Sequence, residues 1–184
     1  MPTIAADPLI EALAKTVGKA EIVGGKIRHL MPTGGKPSYA ALKIAASLLL
    51  HSETLPEGIA FGDNAGFLCD LPDRKSFSPD AAFYVGPPLE MGFLPQPPVF
   101  AVEVRSENDY GRVAEIAIAA KIADYLAAGT RCVWDVDLLN EEVRKYTTDN
   151  PITPQIFRRG ERADAGETVT DWSIEVNSLW PPIR

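Results

Sequence analysis

Val99-Phe100-Ala101-Val102-Glu103-Val104 is apolar at every position but one. Rich in Val and Phe, and preceded by Pro97 and Pro98, the run is predicted to be a core strand. Side chains alternate across a strand, so Glu103 shares a face with Val99 and Ala101. A carboxylate there is costly unless it is paired, protonated or bound to a metal; the alternative is an edge strand with one face in water.

Working outward, Ser78-Pro79-Asp80 opens a second strand, Asp80 to Val85, with an acid at its first residue. A strand-start aspartate bonded to nearby backbone would explain Asp80 alone. Two carboxylates on adjacent strands, however, can bind one divalent cation through oxygen and leave positions for water and phosphate. Between the strands, Pro87, Pro88, Pro95, Pro97 and Pro98 dictate a loop. Downstream, Arg112 to Ala128 reads as an Ala-rich helix closed by Gly129, followed by strands at Arg131 to Val136 and Glu142 to Tyr146. Lys121 interrupts the apolar stretch of this helix. It is either an exposed helical lysine or a cation beside a phosphate, with Ile118, Ile122 and Tyr125 packing the helix.

Upstream, residues 8 to 18 read as a helix closing at Gly18, and Ala20 to Val23 and Lys26 to Met31 as a hairpin about Gly24-Gly25. Pro32 to Pro37 reads as a loop, and Ser38 as the N-cap of a helix to about His51 with Tyr39, Leu42, Ala46 and Leu49 on one face. Short strands are predicted at Ile59 to Phe61 and Gly66 to Cys69, and weaker ones at Gln155 to Phe157 and Glu167 to Val169. This order points to an α+β or mixed α/β sheet with packed helices, in a single domain over residues 1–184.

No apolar stretch is long enough to span a bilayer and no leader pattern opens the chain, so a cytoplasmic protein is expected. Cys69 and Cys132 lie in apolar segments and read as buried, reduced thiols, too few for a cysteine-based metal site. A net charge of −7 counts against holding nucleic acid by bulk electrostatics, though carboxylates gathered for a cation contribute to that charge.

Four segments together carry a resemblance. Ser78-Pro-Asp80, Phe100-Ala-Val-Glu103-Val-Arg-Ser106, Lys121-Ile-Ala-Asp-Tyr125-Leu-Ala-Ala-Gly129 and Val133-Trp134-Asp-Val-Asp137 are similar in order and spacing to the Uma-two-type family of restriction endonucleases, within the PD-(D/E)XK nuclease superfamily. The segment from Ala20-Glu21 to Met31-Pro32 resembles that family's opening hairpin. The resemblance implies a restriction-endonuclease-like core with flanking helices, Mg²⁺ or Mn²⁺ held by Asp80 and Glu103, Lys121 as the third catalytic residue, and hydrolysis of DNA, with RNA as the other candidate substrate. The superfamily's lysine two places after the second acid is here Arg105, which either meets phosphate or covers the strand. Lys121 stands about one helical turn later than in common members, on the same helix face. Tyr39 stands where many relatives have histidine, and neither His29 nor His51 replaces it. Glu21 is a lower-ranked acid, near the metal or merely exposed on the hairpin. Ser106 lacks a histidine base and reads as a turn residue, while Tyr125 and Trp134 read as packing. The competing readings are an inactive nuclease fold binding nucleic acid or a protein partner, and a hydrolase of smaller phosphate esters. A homodimer would place two sites on the two strands of DNA.

Overall fold

The computed structural model of the chain describes residues 7–181. Helix α1 (Pro8–Ala14) starts where expected, with Asp7 accepting from the Leu9 N–H and Pro8 in the first turn. It stops before Gly18, and Val17 stands in solvent. Strands β1 (Ala20–Val23) and β2 (Lys26–His29) form the hairpin, with both turn glycines at positive φ. Helix α2 (Gly35–Ser52) begins before Ser38, because Pro37 fits the first helical turn, where a missing N–H costs nothing. Its buried face is Ala40, Ala41, Ile44 and Leu48, whereas Leu42 and Leu49 face outward, contrary to the sequence reading. The helix is apolar on both sides, so periodicity left its phase open. The alanines allow the closer approach to the sheet.

The chain continues through β3 (Ile59–Phe61), β4 (Phe67–Leu68), β5 (Ser76–Phe77), β6 (Ala81–Tyr84), β7 (Phe100–Val104), α3 (Arg112–Ala127), β8 (Cys132–Asp137), β9 (Glu142–Thr147), β10 (Gln155–Arg158), β11 (Arg162–Asp164) and β12 (Ser173–Glu175). Six strands form the central sheet in the order β10-β9-β8-β7-β6-β3. Only β7 and β8 run parallel, because α3 crosses between them and returns the chain in the same direction. The expected strand at 167–169 is instead a 3₁₀ turn, Gly166–Val169, between β11 and β12. β5, β11 and β12 escaped the sequence reading because Ser-Phe, Arg-Ala-Asp and Ser-Ile-Glu are short and lack the apolar run that marks the equally short β3 and β4.

Alternation in β7 divides the core. Phe100, Val102 and Val104 pack with Trp134, α2 and the C-terminal Trp172 and Leu179. Ala101 and Val133 face α3, where Ile122 and Tyr125 are buried and Ile118 packs at the margin. Tyr125 stacks on Phe77 at 4.0 Å between ring centroids. Cys69 is half-buried and Cys132 buried, both free, and burial pushes their thiols up to about 11 and about 12. Among the described residues no helix is long and apolar enough to cross a membrane.

Gly58, at φ +98°, lies under the ring of Phe83 so closely that an added Cβ would fall 2.2 Å from Cζ. Gly58→Ala therefore combines left-handed strain with displacement of a buried ring on β6. Urea denaturation should show a loss of about 2–4 kcal/mol with an unchanged m-value.

Candidate active site

Asp80 and Glu103 meet because of strand register. β6 runs antiparallel to β7 with Ala81 opposite Val102, and Asp80, the residue just before β6, enters beside the end of β7 that carries Glu103. Backbone bonds fix the junction: the Asp80 N–H donates to the Val102 carbonyl at 2.9 Å, and the Val104 N–H donates to Asp80 Oδ2 at 2.7 Å. Asp80 Oδ1 faces the other way and accepts from Lys19 Nζ at 2.7 Å. Lys19 also reaches Asp63 Oδ1 at 2.6 Å.

On Glu103, Oε1 accepts from the Tyr125 hydroxyl at 2.6 Å and Oε2 from Lys121 Nζ at 2.8 Å. Lys121 and Tyr125 lie four residues apart on α3, one turn, and so reach the same carboxylate. Lys121 thus points at the acids, not into open solvent. Its ammonium also lies 3.0 Å from Glu21 Oε1. Glu21 is not an exposed hairpin residue. It is 3% exposed, accepts from the Ser78 N–H at 2.9 Å and pairs through Oε2 with Arg74 at 2.7 Å. Arg74 in turn donates to Asp124 on α3.

Burial and then its charged surroundings decide each protonation state. Burial pushes the Glu103 carboxyl above the usual range, and Asp80 and Glu21 add to that push against the pull of Lys121 and Lys19. Burial works against Glu21 as well, but Lys121, Arg74 and the Ser78 N–H outweigh it and hold that carboxyl low. Lys121 and Lys19 stay cationic, since the acids around each outweigh the cost of burial. Burial, then Glu103, raises the Tyr125 phenol well above its ordinary value, so it remains a donor.

Arg105 lies apart from this cluster. It is 4% exposed, forks onto both oxygens of Asp135 at 2.7 Å and also bonds Glu115. Its guanidinium holds the ends of β7, β8 and α3 together, an arrangement that accords with the second of the two sequence alternatives, a residue covering the strand.

The sequence pattern of the Uma2 family, described as "Putative restriction endonuclease", matches residues 9–177. This chain belongs to the Uma2 family. A solved structure described as a putative nuclease belonging to DUF820, from Anabaena variabilis ATCC 29413, superposes with a TM-score of 0.73 at 17% identity, covering 92% of this chain and 96% of that one. That likeness is one of fold. No curated protein matches the chain.

Within this Uma2 chain, sequence reasoning missed Lys19, Arg74, Asp63 and half the role of Tyr125. Lys19 had one signal: it stands two residues before Glu21, hence on the same side of the strand entering the hairpin. Arg74 had none, because it meets Glu21 only once the hairpin docks on the β5 segment, through the Ile22 N–H to Ser76 Oγ and a Val23–Arg74 bridge. Tyr125 is packed as expected, yet its hydroxyl orients Glu103. Ser106 is a turn residue whose N–H and hydroxyl both donate to Asp109. His51 is 2.7 Å from the Thr170 carbonyl, and His29 is exposed.

The fit to a divalent cation rests on the donor set. Among the described residues no three of His, Cys, Asp and Glu form a metal cage. Two opposed carboxylates without thiol or imidazole suit Mg²⁺ or Mn²⁺, hard ions that take one or two carboxylates and complete their shell with water and phosphate oxygen. Glu21 is more deeply buried than either acid, with Oε1 beside the Ser78 N–H and Lys121 and Oε2 on Arg74.

Proposed function

We propose that this chain is a metal-dependent endonuclease that hydrolyses DNA phosphodiester bonds, with Asp80 and Glu103 holding Mg²⁺ or Mn²⁺ and Lys121 facing the scissile phosphate. The observation that carries the reading is an aspartate at the entry to β6, bonded by the Val104 N–H next to Glu103 on β7, with a cationic lysine hydrogen-bonded to Glu103. The bound ion would supply Lewis acidity and lower the pKa of a coordinated water.

The chain's own residues do the positioning. An ammonium has three N–H donors. Two of Lys121's are directed at Glu21 and Glu103, which leaves one for a phosphoryl oxygen or the attacking water. Tyr125 and Lys121 fix the rotation of the Glu103 carboxylate, and the Val104 N–H fixes that of Asp80. Charge on Lys121 is secured at neutral pH, so it can offset negative charge that develops on the phosphate in the transition state. A net charge of −7 counts against holding a polyanion by bulk electrostatics, so in this reading substrate binding rests on the local site.

One observation favours the inactive nuclease fold: lysines already neutralise both acids, Lys19 on Asp80 and Lys121 on Glu103. Incubation with supercoiled plasmid, single-stranded DNA and RNA separates the two readings. Cutting of DNA with Mg²⁺ or Mn²⁺, and none with EDTA, is expected. Metal binding without cutting of any substrate would favour the inactive fold.

Lys121→Ala should slow cleavage by roughly 10²–10³-fold at saturating metal, the effect of losing one preorganised transition-state donor. Mn²⁺ affinity, titrated separately, should not weaken. A loss of metal binding as large as the loss of rate would make Lys121 a scaffold for Glu103 instead.

A further inference from the structure

Lys19 stands where an incoming cation must bind. Asp80 has two carboxylate oxygens, and Oδ2 is committed to the Val104 N–H at 2.7 Å. Oδ1 is the oxygen turned away from the β7 backbone, and Lys19 Nζ already occupies it at 2.7 Å. A divalent ion and an ammonium cannot share that oxygen without strong repulsion at short range. Lys19 has somewhere to go. Its second partner, Asp63, is 2.6 Å away and 55% exposed at the side chain, on the turn after β3. Asn64, at φ 69°, donates its N–H to Asp63 Oδ1 and fixes that turn. Asp63 and Asp80 both line a cleft against Ser38 and Ala41 of α2, which gives the cation a route in. The Lys19 backbone stays fixed, because its carbonyl accepts from the Leu30 N–H across the hairpin. Only the side chain has to swing.

We propose that Lys19 is the resident counter-cation of Asp80 and that a divalent cation loads by displacing it onto Asp63. Lys19 therefore sets the metal affinity of the site, and Asp63 acts through Lys19 as the seat that receives it. The inference rests on the metal-dependent reading above and extends it to the residue that regulates loading.

The test is Mn²⁺ binding, followed by calorimetry on the folded full chain at one fixed pH, with near-ultraviolet circular dichroism to confirm each fold. Lys19→Met keeps the aliphatic stem and should tighten Mn²⁺ binding by about tenfold, or about 1.4 kcal/mol. Asp63→Asn should weaken binding in the wild-type background and have no effect in the Lys19→Met background. Lys19→Gln serves in place of the methionine variant if the latter misfolds. Unchanged or weaker binding by the Lys19 variants would overturn the proposal, as would an Asp63→Asn effect of equal size in both backgrounds, which would make Asp63 an independent charge. Asp80→Asn separates the two levels. If it loses Mn²⁺ while Lys19→Met matches wild type, displacement alone is wrong. If Asp80→Asn binds as wild type does, the metal site itself is wrong, and displacement falls with it.

Discussion

Glu103→Gln should leave the domain folded and remove cutting by three orders of magnitude or more. Glutamine keeps the length of the side chain and an oxygen able to accept from Tyr125 or Lys121, which now hold the carboxylate at 2.6 and 2.8 Å. It lacks the negative charge that retains a divalent cation. The fold has little to lose by the exchange, since burial already disfavours charge on Glu103, and Lys121 retains Glu21 as a counter-ion. Mn²⁺ affinity should fall together with activity, while the thermal midpoint stays within a few degrees. A variant that still cuts at the wild-type rate would remove Glu103 from the mechanism. One that fails to fold would make the residue structural.

The largest loss of stability is expected from Arg105→Met. Asp135 and Asp137, at 1% and 0% exposure, would keep only Arg144 as a basic partner. Breaking a buried ion pair by removing one member leaves uncompensated charge and costs about 3–5 kcal/mol. The sign of the pH dependence follows from the partners. Arg105 hydrogen-bonded to Glu115 holds that carboxyl below its usual range. Burial opposes charge on Asp137, but Asn140, Arg105 and Arg144 outweigh it and hold that carboxyl low too. Acids held low contribute stability above the ordinary carboxylate range and lose it as pH falls through their lowered values. The gap between wild type and Arg105→Met, measured by denaturant titration, should thus be full at pH 7 and shrink below about pH 4. Cleavage per folded molecule should change little. A stable variant with lost activity would return Arg105 to the phosphate.

The contrast between Glu103 and Arg105 shows how far the sequence could be read. Both sit on or beside β7, and a single acid in an apolar run was legible because alternation forces it onto a buried face. What Arg105 would meet was not legible, since Asp135 and Glu115 come from β8 and α3 and meet it only through the parallel pairing. The strand containing Val99 to Val104, the helix carrying Lys121 and the hairpin followed from periodicity and glycine placement. The phase of α2 did not, because its core face is made of alanines and its outer face carries Leu42 and Leu49. In the site, Glu103 and Lys121 were visible as polar residues breaking an apolar run, and Asp80 as an acid at the start of a strand that gains weight beside Glu103 and from the family resemblance. Lys19, Arg74 and Asp63 break no pattern. Lys19 reaches Asp80 and Arg74 reaches Glu21 across more than 50 residues of chain, and Asp63 meets Lys19 from a turn whose position depends on the sheet.

Crystals grown with MnCl₂ and measured near the manganese absorption edge test the central claim most directly, because the signal locates the metal without reference to activity. An anomalous peak in contact with the carboxylates of both Asp80 and Glu103 is the predicted result. Manganese bound elsewhere on a protein that cuts DNA, with Asp80 and Glu103 still held by Lys19 and Lys121, would contradict it.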